Sequence, residues 1–88
     1  MDDENAHTLY TLGQIVRACW PGGKVPGAVH DLAPGRPATG LRTIRYTRGT
    51  LPDAAEEMVS RLPDPLPDPW PLIPPTHQGP YWLGFYHY

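Results

Sequence analysis

The chain has 88 residues, a formal net charge of −2 and a hydrophobic share of 40%. That length supports one small core and no second domain, and the charge excludes bulk electrostatic attraction to nucleic acid. A single cysteine, Cys19, excludes an intramolecular disulfide and any multi-cysteine zinc site.

Thirteen prolines and nine glycines divide the chain into short elements with long connections. No apolar run reaches the ~18 residues that a spanning helix needs. The opening "MDDENAH" is acidic, the opposite of a secretory leader. Together with the lack of cysteine pairs, this makes the cytoplasm the expected compartment.

The first predicted element is a helix over residues 5–20, "NAHTLYTLGQIVRACW". Leu9, Leu12, Val16 and Cys19 recur at helical spacing, and Ile15 and Trp20 widen the apolar stripe. Asn5 or Thr8 is a candidate cap, and "PGG" at 21–23 stops the helix. Residues 21–37 read as a loop, because four prolines and repeated glycines leave little room for a regular element. Val25, Val29 and Leu32 are its candidate anchors on the core.

Residues 38–48 fit either a helix or a strand. Pro37 suits a first helical turn and Gly49 a C-terminal stop. The Thr, Ile and Tyr content also suits a strand, and helix is the preferred reading. A helix over 52–62 follows. Pro52 and Asp53 open it, Glu56 and Glu57 lie in its early turns and Arg61 at its end, matching the helix dipole. Ala55, Met58, Val59 and Leu62 form its apolar side.

Residues 63–75 form a proline strap. Seven of the thirteen residues are proline, so the segment reads as extended polyproline II with Trp70, Leu72 and Ile73 as anchors. A last helix covers 79–88, with Gly79 as cap and Pro80 as first helical residue. The expected fold is therefore mainly α: a single domain of three to four short helices with long Pro/Gly-rich loops and an extended strap.

Few residues point to chemistry. The four histidines (His7, His30, His77 and His87) show no i, i+4 ligand pair. Ser60 is the only serine, on the charged side of a predicted helix, and Cys19 sits on an apolar stripe where a thiol is inert. "PGGK" at 21–24 lacks the spacing and following hydroxyl of a phosphate-binding loop. No catalytic residue, metal, cofactor or small-molecule ligand is expected, and the chain reads as non-enzymatic.

Two interaction patterns remain. Arg36, Arg42, Arg45 and Arg48 form a basic stretch without an acid, a candidate contact for nucleic acid or an acidic partner. Its plainer reading is a solvated face paired with carboxylates of the next helix. The terminal "YWLGFYHY" makes Tyr81, Trp82, Phe85, Tyr86 and Tyr88 candidates for a protein interface. A glycine inside a helix costs about 1 kcal/mol relative to alanine. Gly84 and Gly13, each preceded by a leucine, therefore suggest that the two terminal helices cross tightly. Leu12, Gly13, Leu83 and Gly84 are the packing residues of that expectation.

The order of these motifs resembles the C-terminal helical region of the large subunit of the type I-C CRISPR surveillance complex (Cascade). That region is also made separately as a small subunit. Tyr10, Leu12 and Gly13 match the family's "AYxLGRL" helix, Pro37 and Ala38 its "ATPA" helix start, and Leu62 and Pro63 its leucine-proline step. Gln78, Gly79, Leu83, Gly84, Tyr86 and His87 match "QQGRFxLGYYHQ", with Phe85 in place of its first tyrosine. Gln14 stands where the family has arginine, and the proline strap is not a family feature.

The resemblance implies a non-enzymatic component of a nucleic-acid-surveillance complex with a protein partner. Nucleic-acid contact would run only through the arginine stretch. Two alternatives stay open. One is a phage-borne, anti-CRISPR-like mimic of this subunit that blocks the complex, which the acidity favours. The other is an unrelated adaptor of bacterial or phage origin that docks through its aromatic C-terminal helix.

Overall fold

A computed structural model describes residues 3–22, 24–63, 66 and 73–88. It is mainly helical, with no strand among the described residues. In chain order the helices are α1 (Asp3–Cys19), α2 (Gly27–Leu32), α3 (Pro37–Arg48), α4 (Asp53–Ser60) and α5 (Gly79–His87). A single 3₁₀ turn, Pro75–His77, precedes α5.

α1 is the hub, and α5, α4 and α3 all pack on it. Its apolar residues sit on more than one side, so Leu9, Leu12, Ile15, Val16 and Cys19 are all buried. α3 contributes Ile44 to the core, α4 contributes Ala55 and Met58, and α5 contributes Tyr81 and Phe85. Leu51, in the link before α4, is buried with them.

The loop expected over 21–37 contains α2. Its flanking prolines lie outside the helix: Pro26 occupies the N-cap and Pro34 follows the last turn. Neither interrupts a helical hydrogen bond, so proline density in this stretch marks the ends of an element and not its absence. Val29 and Ala33 are fully buried and seat α2. α2 packs on α3 where Gly40 meets Ala33, and a Cβ on Gly40 would lie 2.9 Å from the Ala33 Cβ.

Residues 37–48 are helical. Pro37 lies in the first turn, Arg45 and Arg48 in the last, and Gly49 ends the helix at φ 76°, a conformation that favours glycine. α4 carries Asp53 and Glu56 in its first turn, in keeping with the helix dipole. Thr8 is not a cap but a buried residue within α1, and α5 begins at Gly79, with Gln78 as its N-cap.

Most of the predicted strap, including the Trp70 and Leu72 anchors, lies outside the described residues. Its end is tied down. The Ile73 N–H donates to the Gly35 carbonyl at 3.3 Å, and Gln78 Nε2 donates to the Ile73 carbonyl at 2.8 Å. These bonds set the start of α5 against the α2–α3 link.

Candidate interaction surface

The α1–α5 crossing determines which rings of the last helix face outward. A Cβ on Gly13 would collide with the Tyr81 carbonyl oxygen and lie 2.8 Å from the Phe85 nitrogen. A Cβ on Gly84 would collide with the Tyr10 carbonyl oxygen and lie 2.7 Å from its carbon. Two helix backbones meet here with no side chain between them, closer than any residue other than glycine permits.

With Gly84 turned into α1, the ~100° advance per residue directs Tyr81 and Phe85 inward as well. Both were candidate interface rings, and both are buried, Tyr81 completely. They belong to the core. Leu83 is corrected in the opposite sense. It is 52% exposed and does not seal the packing. Leu12 is buried beside Gly13 because α1 is surrounded by other helices, whereas α5 is peripheral and packs through one side. A leucine next to its contact glycine therefore turns out to solvent.

The exposed part of the C-terminal aromatic set is Tyr86, at 74%, and Tyr88, at 54%, with Trp82 half-buried. Leu83 and Tyr86 are three residues apart on α5 and share its outer side. His87, also exposed, meets the half-buried Tyr10 ring edge-on at 6.2 Å. Arg17 of α1 lies over the Phe85 ring, 5.5 Å from its centre. The surface formed by α1 and α5 thus combines aromatic and aliphatic groups with Arg17 and His87, and neither Ala6–Cys19 nor α5 carries an acidic side chain.

The second candidate is the arginine stretch. Arg42, Arg45 and Arg48 lie exposed on α3, and Arg36 is half-buried at its N-cap. Arg45 Nη1 pairs with Glu56 Oε1 of α4 at 2.9 Å, and Arg42 Nη2 donates to Thr39 Oγ1 at 3.1 Å. An anionic partner would have to draw Arg45 away from Glu56. Next to these arginines stands Tyr46, 92% exposed, which sequence reasoning did not single out as a site. Its position four residues after Arg42 on one helix was the available signal.

Among the described residues α3 and α4 do not pack backbone to backbone. Between them lies an open groove of about 520 Å³ with Leu41, Val59 and Leu62 along its apolar part and Arg42 and Arg45 beside them. Arg61 pairs with Glu57 on the exposed side of α4.

Cys19 is buried, and burial pushes its thiol above the ordinary range. Among the described residues no group of three His, Cys, Asp or Glu side chains could hold a metal ion. No described helix is long and apolar enough to cross a membrane. The structure brings His30 into a ring cluster, where it meets Tyr81, Trp82 and Phe85. A lone histidine in a proline-rich stretch gave no spacing signal for this.

No family model, curated protein or solved structure matches the chain.

Proposed function

We propose that this chain is a non-enzymatic interaction module that works as a small helical subunit of a nucleic-acid-surveillance complex of the type I-C Cascade kind. The observation that carries this reading is the α1–α5 crossing. Gly13 and Gly84, which belong to the two Leu-Gly motifs of the resemblance, allow the contact of the two helices. The crossing leaves Leu83, Tyr86 and Tyr88 outward, where a neighbouring subunit would cover them. Exposed tyrosines of this kind serve as anchors in protein interfaces. Arg42 and Arg48 on α3 supply the basic contact to the nucleic acid.

The test uses a type I-C complex purified without its small subunit. Adding the chain should tighten binding of target DNA, with a gain that shrinks as salt rises. Tyr86→Ala should abolish binding of the chain to the complex while leaving the chain folded. An unchanged affinity for target DNA at every salt concentration would overturn the proposal.

One observation favours a second reading. Arg45 is already neutralised by Glu56 on a chain of net charge −2, which suits a mimic that occupies the subunit's place without holding DNA. In that case the same assay gives weaker target binding, and the native small subunit reverses the loss by competition.

A further inference from the structure

The backbones of α2 and α5 stay apart, and His30 bridges the gap. Its imidazole lies tilted by 33° against the Trp82 ring at 5.1 Å. It meets Phe85 edge-on at 5.2 Å and Tyr81 edge-on at 6.4 Å. Its Nδ1 lies 3.3 Å from the Tyr81 hydroxyl, which has no other partner among the described residues. All three rings belong to α5, so one side chain joins α2 to the helix that closes the fold.

The hydrogen bond determines which protonation state fits. Tyr81 is fully buried, and burial pushes its phenol far above the ordinary range, so it keeps its proton. That proton needs an acceptor, and neutral His30 supplies one at Nδ1 with its own hydrogen on Nε2. Protonation at Nδ1 turns this acceptor into a donor. The Tyr81 hydroxyl must then rotate, and its hydrogen loses its partner in a buried place.

The surrounding charges are few. α2 itself carries Asp31, α1 contributes Arg17 over the Phe85 ring, and α3 has Arg36 at its N-cap and carries Arg42, Arg45 and Arg48. α5 contributes no charged group except His87 near its end. Two effects favour a charged His30, the Asp31 carboxylate and the Trp82 ring face. Loss of hydration opposes them and prevails, holding His30 below the ordinary histidine range.

We infer that His30 is an acid-sensitive latch that holds α2 on the aromatic side of α5 when neutral and releases it when protonated. The sign follows from the direction of the shift. Because the folded value is lowered, the latch is fully engaged above the ordinary histidine range and is lost as pH falls through the folded value. Release exposes more of Trp82 and uncovers Tyr81, which enlarges the aromatic surface of α5. The latch does not depend on the identity of any partner.

The experiment is an NMR pH titration of the full chain. The His30 imidazole should titrate below the ordinary histidine range. The Trp82 indole N–H resonance should move with the same midpoint, and the Ala33 amide should exchange several-fold faster once His30 is charged, relative to His30→Phe at the same pH. His30→Phe keeps a ring in the cluster and should remove the pH dependence of Trp82. If that variant does not fold, His30→Gln, which can still accept from Tyr81, should do the same. The inference is overturned if His30 titrates within or above the ordinary histidine range, if Trp82 does not follow it, or if the pH dependence survives in the folded variant.

Discussion

Two regions of the molecule relate their helices in opposite ways. Where α1 meets α5, two glycines remove every side chain from the contact, and backbone lies on backbone. Where α3 faces α4, the helices stand apart around a groove, with an exposed ion pair between Arg45 and Glu56 reaching across. The first seam gains from close packing, and its geometry tolerates no added atom. The second is built from long side chains that water can replace. A small chain can thus concentrate its stability in one crossing and leave another side open for contact.

The most severe way to break this contrast is to add atoms at the closed seam. Gly84→Leu should prevent folding. Gly84→Ala gains about 1 kcal/mol of helix propensity. It forces a Cβ into the Tyr10 backbone, however, and overpacking of that kind costs about 1–3 kcal/mol or more where backbone must move. Because the added Cβ meets backbone, the cost lies at the upper end of that range, and a net loss of up to about 2 kcal/mol in urea unfolding is expected. Gly13→Ala should behave alike. The double variant should lose less than the sum, since the helices separate only once. Full additivity would mean that the two glycines act at independent places.

A smaller effect is expected beneath the open seam. Ile44 is fully buried where α3 contributes to the core, so Ile44→Val should cost about 1 kcal/mol through the methyl group it removes. Cys19 reports whether solvent reaches this region, because Arg45, Arg48 and Glu56 all act on its thiol. Burial raises the thiol above its ordinary range, so thiolate forms only at higher pH. Labelling of the native chain at neutral pH should be far slower than in urea. Equal rates would show that the region under α3 and α4 is open to solvent.

The least effect belongs to the ion pair. Both partners are close to half exposed, and a double-mutant cycle on Arg45→Ala and Glu56→Ala should give under about 1 kcal/mol, falling with salt. A larger, salt-resistant coupling would make the two seams more alike than the structure implies. Gly27→Ala serves as the control, since a Cβ there meets only open space and stability should shift by no more than about 0.5 kcal/mol.

The helical class was legible from spacing and helix ends. Leu9, Leu12 and Val16 mark α1, and the placement of Asp53, Glu56 and Arg61 marks α4. Gly13 and Gly84 could be singled out because a mid-helix glycine needs a reason. Other features had no local signature. α2 was hidden because its prolines bound it from outside. The contact of Gly40 with Ala33 depends on how two helices meet, which residue spacing does not encode. Leu83 was assigned to the wrong side because its neighbour Gly84 resembles Gly13 in sequence. How many partners surround a helix, and not its own pattern, decides how much of it is buried. His30 required three rings from a distant helix before it meant anything.

The glycine crossing also has a consequence for synthesis. Gly13 is synthesised well before Gly84, so the side of α1 that receives Tyr81 and Phe85 stays bare while the residues between them are being made. A contact between such distant segments forms slowly, and the uncovered apolar side is prone to association in the meantime. Closure of this side of α1 therefore awaits the synthesis of α5.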